Sequence, residues 1–448
     1  MIAQLRSLYY GWWIIITLAI TETISWGIVY YAYSVIITTL EAEFGWTRAE
    51  VTGAFSLALL ISGGMAVPVG FWLDRYSSRW LMTAGSIVAT LLMFVLAQVQ
   101  TLTQLYLVWI GLGITAATIL YEPAFVVAAK WFNKKRGTAL VIITIAAGFA
   151  STIFLPLTAW LLGLYGWRQA MVYLAILLGV TTIPLHALVL RRSPADMGLA
   201  MDGGTLTAST EQRNTTSTQQ TADKQTAANQ TAANQTADNQ TAVNQTSKTD
   251  MTLREVLRLP RFWWLAISLS LGGMAAIGIR VHFIPLLEDR GFAPEYAAWI
   301  AGIIGAMQVL GRVIYAPSGS SFSPTRMVTI IFSLQAVSLA LLLFTSSSSP
   351  TEASLTIISV WSFVILFGAV YGISTLLRPQ IIADQFGSTY FGRISSIQHV
   401  IYTVATTSAP YGMALIYTLF GNSYQPVLVV LILISLLAAA AVFPIKKK

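Results

Sequence analysis

The sequence predicts an all-α membrane protein with twelve transmembrane helices in two pseudo-symmetric six-helix bundles. Three observations support this prediction. Only 10% of the 448 residues are charged, against about 25% in a soluble domain, and the mean hydropathy is +0.69. Apolar windows recur along the chain, and the second half repeats features of the first. Such a composition excludes an ordinary cytosolic enzyme and a disordered protein.

Apolar windows of the length that crosses a bilayer, about 20 residues, predict the individual helices. Those of the first half lie near 12–38, 49–73, 80–99, 102–128, 137–163 and 168–190. Those of the second half lie near 261–287, 296–318, 326–346, 356–384, 391–418 and 424–443. Six spans return the chain to its starting side, so the two halves should have the same orientation.

A polar segment separates the two sets of helices. Between Met201 and Asp250 the chain consists mostly of Thr, Ala, Gln, Asn and Ser, and it contains the repeated sequence TAANQ. A segment of this kind cannot bury enough apolar surface to offset its chain entropy. We therefore divide the chain into an N-terminal bundle at 1–192, a largely disordered cytoplasmic linker at 193–257 and a C-terminal bundle at 258–448.

The basic residues indicate the orientation. Most of the 26 Lys and Arg residues fall on the side of the N-terminus, whereas the opposite side carries only Arg48, Arg168 and Arg290. Because cytoplasmic loops of membrane proteins are enriched in Lys and Arg, both termini and the linker should be cytoplasmic, in an integral multi-pass protein of the plasma (inner) membrane. The net charge of +8 then reflects topology and requires no nucleic-acid partner. The predicted outer loops carry Glu41, Glu43, Glu50, Glu288, Asp289, Glu295 and Glu352.

The sequence lacks the common motifs for metal binding and ATP hydrolysis. It contains no cysteine, no Gly-x-x-x-x-Gly-Lys-Ser/Thr phosphate loop and no His-Glu-x-x-His pair. We therefore expect no cofactor, no metal site and no enzymatic activity.

The two halves share local sequence features. YGWW at 10–13 opens the first half and RFWW at 261–264 opens the second. Glu122-Pro123 in the fourth predicted helix corresponds to Arg378-Pro379 in the tenth. Two parallel six-helix halves with a binding site between them at mid-membrane depth describe the design of the major facilitator transporters.

One loop also resembles that superfamily directly. GFWLDR at 70–75, followed by Arg79, is similar to the signature loop between helices 2 and 3 of the major facilitator superfamily. The resemblance implies that Asp74, Arg75 and Arg79 take part in gating, as a latch between helices on the cytoplasmic side. At the corresponding place in the second half, SF at 321–322 replaces the Asp and Arg, so the latch should be asymmetric.

Further short strings resemble the monocarboxylate-transporter-like branch of the superfamily, and also the oxalate–formate exchangers. They are KWFNKKRG at 130–137, RSPADMGL at 192–199, FIPLL at 283–287, GR at 311–312, and FG at 386–387 and again at 391–392. The resemblance implies a secondary transporter that moves a small organic anion, a monocarboxylate, by alternating access and with protons as a candidate co-substrate.

Ionisable residues inside the predicted spans are candidates for the transport pathway, because a charge in the bilayer costs several kcal/mol unless it is paired or hydrated. They are Glu22, Glu122, Arg280, Arg312 and Arg378, with His399 as a further titratable group. Three arginines against two glutamates favour an anionic substrate. For each residue the alternative is a structural role, such as a static ion pair, a helix-packing hydrogen bond or an anchor at the membrane interface.

The resemblance assigns several of these residues. Monocarboxylate carriers place an arginine at the position of Arg312, where a guanidinium can bind a carboxylate through two hydrogen bonds. Gln308 stands where the family has an aspartate, and Tyr33 is nearest to the family's lysine in the first helix. Arg312 and Gln308 are therefore predicted to bind substrate, and Tyr33 is predicted to line the cavity.

The remaining candidates follow from the residues themselves. Glu122 and Arg378 occupy matching places in the repeat, so we expect either an ion pair between the halves or a substrate-binding arginine with a proton-carrying glutamate. Arg280 and Tyr121 are predicted to contact substrate. Glu22 and His399 are titratable groups inside the predicted spans, so they are predicted to serve coupling or gating.

Several alternatives to a monocarboxylate symporter stay open. They are an anion exchanger of the dicarboxylate/monocarboxylate type, a proton-coupled carrier of a neutral metabolite, and a sensor that keeps the fold without transporting. The expected partners are a small organic anion and the lipid bilayer, and the protein is expected to function as a monomer.

Overall fold

Long apolar helices make up most of the chain. The computed structural model describes residues 9–203, 253–318, 323–345, 350–386 and 391–445. Within these residues there is no β-strand, and nine helical stretches are long and apolar enough to cross a membrane. One stretch, Arg136–Leu188, contains two helices. With the two last helices of the chain, the described residues form twelve helices, as predicted.

The first bundle contains helices α1 to α6. Helix α1 comprises Tyr10–Ser25, a π-helical segment at Trp26–Tyr31 and a last part at Tyr33–Phe44; α2 is Arg48–Arg75, α3 is Ser78–Leu96, and α4 comprises Leu102–Ile119 and Tyr121–Trp131. Helix α5 comprises Arg136–Gly148 and 150–165, and α6 is 167–188, the two being separated by the non-helical Gly166.

The second bundle contains helices α7 to α12, preceded by a short helix at Leu253–Arg258. Their bounds are Pro260–Glu288 for α7, Pro294–Ser318 for α8, Pro324–Leu341 for α9, Pro350–Phe386 for α10, Phe391–Leu419 for α11 and Tyr424–Ala440 for α12. Each predicted span overlaps one of the twelve helices.

The turn between α1 and α2 shows how the sequence ends one helix and starts the next. Gly45 follows α1 with φ of +68°, a conformation that glycine adopts without steric cost. Thr47 then begins α2, since its hydroxyl accepts the backbone N–H of Glu50 at 3.2 Å while the Glu50 carboxylate accepts the N–H of Thr47 at 2.8 Å. This capping box satisfies two backbone donors that the helix leaves free.

Each bundle has its own apolar core. In the first, the ring of Tyr33 stacks on Phe55 and packs edge-on against Trp109. In the second, Phe363 packs against both Phe283 and Phe367. These buried aromatic clusters lie on either side of the plane between the bundles.

The two bundles meet along α5 with α8 and along α2 with α11. The Thr152 hydroxyl in α5 donates to the carbonyl of Gly302 in α8 at 2.7 Å, and Gly305 in α8 lies against Ser151. Between α2 and α11, the backbone N–H of Tyr411 donates to the Ser56 hydroxyl at 3.1 Å. Small side chains allow these close approaches, as in other membrane helix pairs.

Helices α1 and α4 of the first bundle are interrupted near their middle, in addition to the break at Phe149 in α5. In α1 the π-helical turn is closed by a hydrogen bond from the Ala32 N–H to the Gly27 carbonyl at 2.9 Å. In α4 the extended backbone of Leu120 separates the two helical parts. Interrupted helices at mid-membrane depth commonly line binding sites, because their free backbone groups face a cavity.

The start of the predicted linker is folded against the α4–α5 loop. The Asp202 carboxylate accepts backbone N–H groups of Asn133, Lys134 and Lys135 at 2.9 to 3.2 Å. Burial acts to raise the pKa of Asp202, but these hydrogen bonds outweigh it, so the pKa lies below its usual value. Residues 204–252, which include the TAANQ repeats, lie outside the described residues, and the predicted domain boundaries stay a prediction.

We predict that Gly372→Ala destabilises the second bundle. A Cβ atom at Gly372 would overlap the backbone oxygen of Gln308, and one at Gly311 would overlap that of Ala369, so α8 and α10 are in backbone contact there. Such overpacking costs about 1–3 kcal/mol, and thermal unfolding of the purified protein should show a lower Tm. Gly412→Ala is the control, since its Cβ would meet nothing within 4 Å. Equal Tm values for the two variants would contradict the prediction.

Candidate functional site

A cavity of about 310 Å³ lies between the two bundles. Helices α1, α2 and α4 line it from the first bundle, and α7, α10 and α11 line it from the second. Its aromatic side chains are Trp26, Tyr30, Phe55, Trp109, Tyr121, Tyr371 and Tyr402. Its titratable groups other than tyrosines are Glu122, Arg280 and His399. The wall is therefore mostly apolar with a few charged groups, as in sites for small molecules.

Arg280 of α7 lies in the cavity wall between aromatic rings. Its guanidinium donates a hydrogen bond to the Tyr31 hydroxyl, and its central carbon lies 5.1 Å from the ring centre of Tyr31 and 4.6 Å from that of Tyr371. Among the described residues, no carboxylate oxygen lies within 4.0 Å of this guanidinium. The cavity thus presents a half-buried cation that is held by neutral groups.

Glu122 and Tyr121 begin the second part of α4, directly after the break at Leu120. Glu122 is exposed toward the cavity, and the Tyr121 ring packs against Trp26 and stacks on Phe125. The structure thus places both predicted residues in the cavity wall. The carboxylate of Glu122 and the guanidinium of Arg378 are not within 4.0 Å of each other in this conformation, so their pairing stays a prediction.

Arg378 of α10 contacts the neighbouring helix α11. Its Nε donates to the side-chain oxygen of Gln398 at 2.8 Å, and its Nη2 lies 2.8 Å from Nδ1 of His399. Its guanidinium also packs over the Tyr402 ring at 4.4 Å. Because a guanidinium only donates, Nδ1 of His399 is the acceptor, which leaves the proton of the neutral ring on Nε2, 3.5 Å from the Thr403 hydroxyl.

Arg312 and Gln308 of α8 lie outside the cavity wall in this conformation. Nη1 of Arg312 donates to the carbonyl of Thr144 in α5 at 2.9 Å. Gln308 is 3% exposed. Among the described residues, neither the buried Nε of Arg312 nor the amide nitrogen of Gln308 has a hydrogen-bond partner. Both residues therefore lie near the contact between the bundles, and their predicted role in substrate binding stays untested.

Tyr33 lies outside the main cavity but lines a much smaller one beside Arg280, so its predicted contact with substrate stays a prediction. It is 2% exposed, and its hydroxyl donates to the carbonyl of Val51 within the first bundle. The reason is the π-helical turn just before it, which adds a residue to the helix and changes the face on which the following side chains lie. Tyr30 lines the cavity and Tyr31 contacts Arg280.

Glu22 is fully buried behind the cavity. One of its carboxylate oxygens accepts the indole N–H of Trp26 at 3.0 Å, and the other has no hydrogen-bond partner in the part of the chain that the structure describes. No Lys or Arg nitrogen lies within 4.0 Å of it among the described residues. An unpaired carboxylate is costly in such surroundings, and the predicted role of Glu22 in coupling or gating stays a prediction.

The loop that carries the predicted latch is only partly described. Asp74 lies in the last turn of α2, and its side chain is outside the described part, as are residues 321–322 of the second half. Arg75 is exposed, and its carbonyl accepts a hydrogen bond from Arg192 at 3.1 Å. Arg79 packs over Trp80, and its buried Nε has no hydrogen-bond partner within the described residues, which leave out the side chain of Asp74. The latch stays a prediction.

A buried ion cluster joins the bundles on the predicted outer side. Arg48 at the start of α2 donates to both carboxylate oxygens of Glu41 at 2.7 Å, and it contacts Asp289 of the second bundle at 2.9 and 3.3 Å. The Arg48 side chain is only 4% exposed. One guanidinium thus binds a carboxylate from each bundle.

Aromatic hydroxyls complete this cluster. Tyr417 donates to Asp289 at 2.6 Å, and the Tyr424 hydroxyl lies 3.0 Å from Arg48 and 2.9 Å from Nδ1 of His282. Nε2 of His282 lies 2.8 Å from the carbonyl of Pro410. We name Arg48, Glu41, Asp289, Tyr417, Tyr424 and His282 the outer cluster. It closes the predicted outer end of the space between the bundles.

Sequence reasoning did not identify the outer cluster. In the sequence, Arg48, Glu41 and Asp289 indicate only the topology. The available signal is the scarcity of arginine in the predicted outer loops. A single cation among several acidic residues is expected to form ion pairs with some of them.

Residues 18–380 match the sequence profile of the Major Facilitator Superfamily, which covers most of the chain. The chain belongs to this superfamily. The cavity between two six-helix bundles is therefore in the position of the substrate site in this class of transporters, which are integral multi-pass membrane proteins.

Individual superfamily members show low sequence identity to the chain. It is 24% identical to an oxalate:formate antiporter of Oxalobacter formigenes over 85% of this chain and 79% of that protein. It is 25% identical to monocarboxylate transporter 13 of Bos taurus over 68% of this chain and 60% of that protein. These similarities agree with the branch that the short motifs indicated.

Solved structures of superfamily members share the fold. A D-xylose–proton symporter superposes with a TM-score of 0.70 at 13% identity, covering 98% of both chains. A bacterial homologue of the human lysosomal transporter Spinster, in an inward-facing and occupied conformation, gives a TM-score of 0.67 at 14% identity, covering 97% of this chain and 96% of that one. At such identities the likeness shows the fold alone.

We predict that Arg48→Gln opens the predicted outer side. The sequence has no cysteine, so a single Ser62→Cys in the cavity wall can report access by a membrane-impermeant maleimide. Removal of one partner from a buried ion pair costs about 3–5 kcal/mol, so labelling from the predicted outer side should accelerate more than about tenfold. The control is Arg168→Gln, which removes an ion pair to Glu43 inside the first bundle. Equal labelling rates in the two variants would contradict the prediction.

Proposed function

We propose that the protein is a secondary transporter of a small organic anion, a monocarboxylate, that works by alternating access. The observation that carries this proposal is the guanidinium of Arg280, which lies in the wall of the cavity between the bundles without a carboxylate partner among the described residues. A guanidinium is suited to bind a carboxylate through two parallel hydrogen bonds. An incoming anion would supply the anionic partner that the Arg280 guanidinium lacks among the described residues.

The arrangement of the bundles supports alternating access. The outer cluster closes one end of the space between the bundles, while Glu122 at the level of the cavity is exposed. The contacts between α5 and α8 include glycine backbone and small side chains, which permits one bundle to rock against the other. Exchange between this conformation and one opened at the outer cluster would expose the cavity to each side in turn.

We further propose that protons drive the transport through His399. In the observed arrangement Nδ1 of His399 accepts a hydrogen bond from Arg378. If Nδ1 is protonated, it can no longer accept this hydrogen bond. Protonation would release Arg378 toward Glu122, which faces it from α4. Tyr402 and Thr403 are the other polar groups beside the imidazole, and neither supplies a negative charge.

Exchange of one anion for another is the second candidate function. The similarity to an oxalate:formate antiporter, which extends over 85% of the chain, favours it. The two mechanisms differ in one measurement. An exchanger reconstituted into vesicles moves labelled anion only when unlabelled anion is present on the opposite side of the membrane. A symporter moves labelled anion in response to a pH gradient alone.

We predict that Arg280→Gln abolishes anion binding. Loss of one partner of a desolvated charge pair costs about 2–5 kcal/mol, which corresponds to a loss of affinity of at least about 30-fold. Thermal-shift titration of the purified protein with a panel of carboxylates measures this, because a ligand that binds the folded state raises the Tm. Arg312→Gln is the matched variant and should keep binding, since Arg312 contacts the Thr144 carbonyl. The reverse outcome would assign the site to Arg312.

We predict that His399 is the neutral Nε2–H tautomer in the resting protein. The chain has only three histidines, so the ring nitrogens can be assigned by NMR with ¹⁵N-labelled histidine and single His→Gln variants. Arg378→Gln should allow the Nδ1–H tautomer to appear, because the donor to Nδ1 is removed. His399→Gln should keep substrate binding but lose the acceleration of uptake by an inward proton gradient. An Nδ1–H signal from His399 in the wild type would refute the tautomer, and unchanged acceleration would remove His399 from coupling.

A further inference from the structure

We propose that the preferred substrate is a monocarboxylate with an aromatic ring, a deduction that rests on the proposed function and names its substrate class. The cavity offers a single permanent cation beside a wall of aromatic side chains. Formate and oxalate, the ions named for one of the relatives, have no apolar part that could use this wall.

The charges in the cavity wall match one carboxylate. Arg280 is the only Lys or Arg that lines it among the described residues. Arg378 lies behind the wall, with its Nε bound to Gln398 and its Nη2 to His399. A second carboxylate would therefore meet no free guanidinium in this conformation. The carboxylate of Glu122 also lines the wall, but among the described residues it is not within 4.0 Å of the Arg280 guanidinium and so leaves that guanidinium available for the first carboxylate. Dicarboxylates are disfavoured for this reason.

Aromatic rings extend from Arg280 across the cavity. Tyr31, which holds the guanidinium, packs edge-on against Tyr30. Tyr30 contacts Trp26 with ring centres 5.1 Å apart, and Trp26 contacts Tyr121 at 5.0 Å. Tyr30, Trp26 and Tyr121 all line the cavity. A ring attached to a carboxylate on Arg280 would lie against this row, where offset-stacked and edge-on contacts between aromatic rings are favourable.

The rest of the wall and the volume fit a compact ring. Apolar side chains line much of the remaining wall, among them Ala58, Leu59, Leu112, Ala116, Leu120 and Ile277. The hydroxyl residues Ser62, Thr403, Thr406 and Thr407 also line it, on α2 and α11. The cavity of about 310 Å³ is at the lower end of the range of about 300–1,000 Å³ for small-molecule sites. A single-ring acid would fill much of it, whereas formate would leave most of it to water.

The test is a thermal-shift and equilibrium-binding comparison of matched compounds with the purified full chain. Benzoate and phenylacetate represent the proposed class, and cyclohexanecarboxylate keeps the charge without aromaticity. Phthalate adds a second carboxylate, benzamide removes the charge, and acetate, formate and oxalate lack the ring. We expect benzoate or phenylacetate to bind at least about tenfold more tightly than acetate, cyclohexanecarboxylate to bind more weakly than benzoate, and phthalate and benzamide not to bind.

Variants of the aromatic row provide the second measurement. Tyr30→Leu and Tyr121→Leu should weaken benzoate binding at least about fivefold while acetate binding changes less than about twofold, because only the ring contacts are lost. Tyr165→Leu is the control, since Tyr165 is an exposed aromatic residue whose ring contacts Tyr173 outside the cavity.

The outcomes separate this inference from the proposed function. Tighter binding of oxalate, formate or acetate than of the ring acids would overturn the aromatic class and leave the anion transporter intact. Equal loss of benzoate and acetate affinity in the Tyr variants would also overturn it. Binding of benzamide but of no acid, or of no compound in the set, would overturn both.

Discussion

The structure depends on one buried cation between the two bundles. The guanidinium of Arg48 is removed from solvent, and a charge in such surroundings is stable only when hydrogen-bonded anions surround it. Glu41 supplies one anion from its own bundle, and Asp289 supplies the other from the second bundle. Since neither carboxylate alone satisfies the guanidinium, the predicted outer ends of the bundles are held together. The cavity lies between the same two bundles.

The wall of the cavity is shaped by departures from regular helix. The π-helical turn in α1 brings Tyr30 into the cavity wall and Tyr31 against Arg280, and the break at Leu120 places Tyr121 and Glu122 at the start of a new helical part. In a regular helix, neighbouring residues lie on different faces, so fewer consecutive side chains would reach the cavity. Both interruptions lie in the first bundle, whereas the cation comes from the second. The site therefore requires both bundles.

Apolar windows were sufficient to predict the twelve helices, because span length is fixed by bilayer thickness. The cost of burying a charge selected six candidates. The structure places Arg280, Glu122 and His399 in the cavity wall and Glu22, Arg312 and Arg378 outside it, and the roles of all six stay predictions. Tyr33 shows the limit of this reasoning. The sequence indicates its position along the helix. The side of the helix on which its side chain lies depends on a π-helical turn that no pattern in the sequence indicates. The outer cluster shows another limit, since Arg48 and Asp289 lie far apart in sequence and meet only when the bundles pack.

The strength of the outer cluster has a thermodynamic consequence for affinity. The contacts between α5 and α8 are expected to change little as the bundles rock. The contacts at the ends of the bundles, such as the outer cluster, then determine most of the free-energy difference between the two conformations. A substrate that arrives from the predicted outer side binds only the fraction of molecules in which Arg48 has left Asp289, and its apparent Kd rises as that fraction falls. A substrate from the other side meets no such reduction. The same cavity would thus bind one anion with two apparent affinities, and their ratio would measure the stability of one buried ion cluster.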